Sequence, residues 1–76
     1  MYKKAKSSFL MALDHDPENS FARFNLALLN ANYFNQPNTA LRLFHEVVQT
    51  ESSTKNLKEL AKIHIEGLRE TRILSR

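Results

Sequence analysis

The sequence predicts an all-α protein of four helices, built as antiparallel hairpins stacked into a helical array. One apolar helical pattern occurs twice. Ala5, Phe9 and Ala12, followed by Leu13, return 35 residues later as Ala40, Phe44 and Val47, followed by Val48. A repeat near this period marks a stacked helical array. One glycine and two prolines in 76 residues leave little room for strand-and-turn architecture. Both prolines sit in polar clusters that read as inter-helix turns, Asp14 to Asn19 and Asn35 to Asn38. A third polar stretch, Thr50 to Thr54, divides the rest, and helices are expected over 2–14, 20–33, 37–50 and 54–74.

The first helix carries Ala5, Phe9, Ala12 and Leu13 on one face, at amphipathic spacing. Lys3, Lys4 and Lys6 lie near its start, where the helix dipole does not favour cations. That placement implies a natural helix that begins further upstream. The second helix carries two apolar stripes, one of Phe21, Phe24, Leu28 and Ala31, the other of Ala22, Leu26, Leu29 and Tyr33. Only narrow polar strips remain, through Arg23 with Asn30 and through Asn25 with Asn32. A helix apolar on most sides is covered on most sides, so it is placed at the centre.

The third helix is expected to start at Asn35 as N-cap, with Pro37 in its first turn. It presents Ala40, Leu41, Phe44, Val47 and Val48. The fourth has Ser53 or Thr54 as N-cap and a face of Leu57, Leu60, Ala61, His64 and Leu68, broadened by Ile63, Ile65, Ile73 and Leu74. Gly67 costs about 1 kcal/mol relative to alanine, and the helix is expected to run through it.

Composition narrows the function. No cysteine is present, so disulfides and thiolate metal sites are excluded. His15, His45 and His64 share no ligand spacing. His64 is expected in a core-facing notch with its ring bonded to a backbone group. No Ser/His/Asp grouping, Gly-rich phosphate loop or paired-carboxylate arrangement occurs. The reading is therefore a non-enzyme with no catalytic, metal or cofactor site. The formal charge is +3, all of it carried by residues 54–76, with six Lys/Arg against three Glu. The N-terminus has no apolar stretch of signal-peptide length, and no apolar run reaches the roughly 20 residues of a membrane span. This slightly favours the cytoplasm.

The pattern resembles the tetratricopeptide repeat family, which pairs two antiparallel helices per 34-residue unit. Its second helix carries small, aromatic and small residues at the spacing of Ala5, Phe9 and Ala12. A proline follows, here in Asp16-Pro17-Glu18-Asn19. Its first helix carries a Leu-Gly/Ala pair with an aromatic three residues on. Leu26-Ala27 matches the pair, with Asn30 in the aromatic place, and Leu60-Ala61 matches it 34 residues later, with His64 in that place. Ala5, Phe9, Ala12, Leu26, Ala27, Ala40, Phe44, Val47, Leu60 and Ala61 are thereby the expected repeat-packing positions. The resemblance covers roughly residues 2–68. It departs from the family in the longer turn at Asn35 to Asn38, in Val47 for a small residue, in Arg23 for a bulky one, and in a second unit without closing proline.

The resemblance implies one TPR-like domain over 1–76. Residues 2–17 are the second helix of an incomplete repeat, 20–50 a complete repeat, and 54–74 a first-helix-like or capping helix. The first helix then lacks its usual partner, and self-association across a two-fold axis is an expected consequence. First helices of such arrays line a groove that grips peptides. By register the groove residues are Phe21, Phe24, Asn25 and Leu28, with Lys55, Lys58, Glu59 and Lys62. The expected function is a protein–protein interaction or assembly scaffold, binding a peptide segment or another subunit. A carboxylate clamp through Asn25 and Lys55 is opposed by Glu59, which stands where a cation is needed. The alternative is binding of phosphates or anionic lipid through Lys55, Lys58, Lys62, Arg69, Arg72 and Arg76. Glu59, Glu66 and Glu70 interrupt that field, so nucleic-acid and membrane partners are not favoured.

Overall fold

The computed structural model describes the backbone of residues 1–74 and the side chains of residues 1–70. Among these residues the chain is four α-helices with no strand: α1 (Tyr2–His15), α2 (Ser20–Asn32), α3 (Pro37–Gln49) and α4 (Lys55–Leu74). The Cα trace forms a plate of 39 × 30 × 15 Å, so every helix keeps one side near the surface. The side chains of Arg72, Ile73 and Leu74, and all of Arg76, lie outside the described residues.

The turns follow from their polar residues. Asp16 Oδ1 accepts a hydrogen bond from the Glu18 amide at 3.2 Å, closing the first turn ahead of α2. Asn19 then caps α2, its side chain accepting from the Ala22 amide at 3.1 Å. Thr54 repeats that cap 35 residues on, accepting from the Leu57 amide at 3.1 Å. The middle turn differs from expectation. Asn35 is not the N-cap of α3; it adopts a left-handed conformation with φ 51°, which asparagine tolerates better than most residues. Gln36 is the N-cap, without a side-chain bond, and Pro37 takes the first helical position, where its missing N–H costs nothing.

Consecutive helices run antiparallel. Tyr2 at the start of α1 stacks on Tyr33 just past the end of α2, and Arg23 early in α2 pairs with Glu46 late in α3, Nε to Oε1 3.2 Å. The Arg23 guanidinium also donates to the Pro17 carbonyl at 2.7 Å, which ties the first turn to α2. α2 and α4 run parallel, since their starts meet through a Ser20–Ser53 hydroxyl hydrogen bond while Phe24 meets His64 further along. Ser53 also donates to the Val47 carbonyl at 2.8 Å, so this buried hydroxyl pair ties the turn ahead of α4 to both α2 and α3.

The core lies between α2, α3 and α4. Ala27, Ala40, Phe44, Val47 and Ala61 are fully buried. The three alanines let helix backbones approach, and Phe44 fills the space they frame. Its ring stacks on His64 with centroids 5.1 Å apart and meets Phe24 edge-on at 5.4 Å. α2 is central as expected, touching the other three helices. α1 buries no residue completely; Ala5, Phe9 and Ala12 are half-buried.

Three expectations are corrected. Leu60 is 47% exposed rather than packed, because Ala61 takes the buried place facing α3. Phe24 is buried rather than lining an open groove, because it plugs the space between α3 and α4. The His64 ring is held by aromatic neighbours in place of the expected backbone hydrogen bond.

Candidate functional site

The helix starts define the internal register. Pro37 opens α3 35 residues after Tyr2 opens α1, and Lys55 opens α4 35 residues after Ser20 opens α2. The caps Asn19 and Thr54 keep the same interval. The echo of α2 in α4 is therefore 35 residues, the same as that of α1 in α3, and not the 34 that Leu26-Ala27 and Leu60-Ala61 imply. In the structural register Ala22 matches Leu57 and Leu26 matches Ala61, all four buried.

This register exposes an asymmetry. Ala40, Phe44 and Val47 on α3 are fully buried, while their counterparts Ala5, Phe9 and Ala12 on α1 are only half-buried. The cause is coverage. α3 packs against α2 and α4, whereas α1 packs against α2 alone. The uncovered side is a groove of about 440 Å³ lined by Met1, Tyr2, Ala5 and Phe9 of the first helix region and by Asn25, Leu28, Leu29, Asn32 and Tyr33. One register later, the equivalent space between α3 and α4 receives Phe24 from α2.

The groove is apolar along its floor, with Asn25 and Asn32 as its amides. Tyr2 and Tyr33 close one end, their rings stacked with centroids 3.8 Å apart and 18° between planes. Hydrogen bonding to Tyr33, then the repulsion two neighbouring phenolates would feel, raises the Tyr2 phenol above its ordinary value. The Tyr2 phenol therefore stays neutral throughout the physiological range. Behind α1, Lys6 sits over the Phe34 ring at 5.1 Å and anchors the helix to the α2–α3 turn.

The structure divides the expected groove residues. Asn25 and Leu28 line the groove, and Phe21 lies 61% exposed on the same helix. Lys55, Glu59 and Lys62 are exposed and Lys58 half-buried, and none of the four lines this groove or the smaller cavity between α2 and α4. That cavity, about 360 Å³, is bounded by Ala31, Asn32, Ile63, His64, Gly67 and Leu68. The one-residue change of register explains the difference. At 35 residues, Asn25 and Leu28 correspond to Leu60 and Ile63, both exposed and apolar, in place of the charged row. Tyr2, Leu29, Asn32 and Tyr33 were not expected at the site; the Asn19 and Thr54 cap spacing is the sequence signal that would have set the register.

No described helix is long and apolar enough to cross a membrane. Comparison with models of protein families, with characterised proteins and with solved structures gave no match for this chain.

Proposed function

We propose that this chain is a tetratricopeptide-type helical module that docks protein, with the groove between α1 and α2 as the docking site. The observation that carries the reading is the unequal burial of one pattern. Ala40, Phe44 and Val47 are covered completely by neighbouring helices, and the matching Ala5, Phe9 and Ala12 are not. The side chains that make a helix-packing surface on α3 therefore stand open on α1. An apolar floor of this kind suits an amphipathic helix that lays its apolar face into the groove. Asn25 and Asn32 offer amide groups for the polar edge of such a helix.

Selection of helical peptides from a display library tests this, using wild-type chain at dilute concentration. Selected peptides are expected to carry apolar anchors at i, i+3, i+4 and i+7, and to bind Leu28→Glu at least tenfold more weakly. Leu28 is half-buried on the groove at the edge of the α2–α3–α4 core, so the substitution places a charge on the groove floor. Circular dichroism should report unchanged helix content. Peptides that bind Leu28→Glu as tightly as wild type would place docking elsewhere.

A further inference from the structure

The charges on α1 are arranged against its own dipole. Lys3, Lys4 and Lys6 stand at its N-terminal end, and Asp14, Asp16 and Glu18 stand at and just beyond its C-terminal end. A helix favours the reverse, anions first and cations last. Fourteen residues span about 21 Å. The two ends are thus further apart than a Debye length of roughly 8–10 Å, and each acts as a separate pole. In the isolated chain this pattern costs stability. Against an antiparallel copy of α1 it becomes complementary at both ends, lysines of one copy facing acids of the other.

We infer that the occupant of the open face is a second copy of this chain, with the two α1 helices antiparallel about a two-fold axis. This rests on reading the groove between α1 and α2 as a docking surface. Two-fold pairing uses the same patch on both copies, so each lysine end meets an acidic end and the contact occurs twice in the dimer. An exposed apolar group is available elsewhere on α1, with Met11 63% exposed. Ala5, Ser8 and Ala12 are small enough for close approach. Head-to-tail stacking, in which α4 would cover the α1 of the next copy, is opposed by the residues α4 offers. Where α2 presents Phe24 and Ala27 to its neighbours, α4 presents Glu59 and Lys62 at the same register, joined in an exposed pair at 3.8 Å.

Sedimentation equilibrium on the full chain, paired with charge reversal, tests the proposal. Wild type is expected to reach about twice the 8.8 kDa of one chain. Lys3→Glu with Lys4→Glu, and separately Asp14→Lys with Glu18→Lys, should each weaken self-association at least tenfold; Asp16 is spared because it closes a turn. An equal mixture of the two variants should restore a dimer, since both ends are then complementary again. Helix content of each variant, read by circular dichroism, separates lost pairing from lost folding. A wild-type monomer at millimolar concentration, a dimer insensitive to both reversals, or assemblies that keep growing with concentration would each overturn the pairing. A monomer whose peptide binding is still lost in Leu28→Glu overturns the second copy alone and leaves the docking surface. A monomer that selects no groove peptide removes both.

Discussion

Phe44→Ala is expected to lower the stability of this chain by about 3–5 kcal/mol, the usual cost of removing a buried aromatic ring. Phe44 has no exposed surface and sits where α2, α3 and α4 converge. Its ring stacks on His64 and meets Phe24 edge-on, so truncation leaves two rings facing a void. Ala27, Ala40 and Ala61 are already minimal side chains and cannot grow into that void. A domain of this size holds a total stability near the low end of the roughly 5–15 kcal/mol range, so most of it would go. Chemical denaturation of wild type and variant measures the difference. Phe9→Ala, at the matching position on α1, should cost clearly less, because that ring is only half-buried.

Phe24→Glu should unfold the chain rather than disable a binding surface. The Phe24 side chain is 8% exposed, and it fills the space between Phe44 and His64. Glutamate there loses the ring contacts and places a carboxylate in the core without a partner, a change expected to cost at least about 3–5 kcal/mol. Phe21→Glu supplies the contrast. Three residues earlier on α2, Phe21 is 61% exposed, and its replacement should shift stability by no more than roughly 0.5 kcal/mol. Thermal melts of the two variants side by side measure this difference. Equal loss in both would contradict the placement of Phe24 between α3 and α4.

Much of the fold was legible because the signals are local. Pro17, Pro37 and the Thr50 to Thr54 stretch mark turns, and each helix end falls within about one residue of its expected place. The Ala40, Phe44 and Val47 pattern reads correctly as buried, and the apolar girth of α2 reads correctly as central. The site was only partly legible. Leu26-Ala27 and Leu60-Ala61 are identical pairs one residue out of register, so sequence identity pointed to charged residues on α4 where the structure places Leu60 and Ile63. Amphipathic spacing puts Phe21, Phe24 and Leu28 on one stripe, yet it cannot tell which part of that stripe a later helix will cover. The stacking of Tyr2 on Tyr33 joins residues 31 positions apart and has no local signature.

Amide hydrogen exchange along α1, followed from dilute chain to conditions where the open face is occupied, tests most directly whether that face docks protein. α1 is held on one side only, so its amides in the dilute monomer should exchange well ahead of those of α3. Occupancy should slow α1 and the groove side of α2 selectively, with α4 unchanged. Equal protection of α1 and α3 in the monomer, or protection that rises on α4 while α1 stays unchanged, would contradict a docking face between α1 and α2.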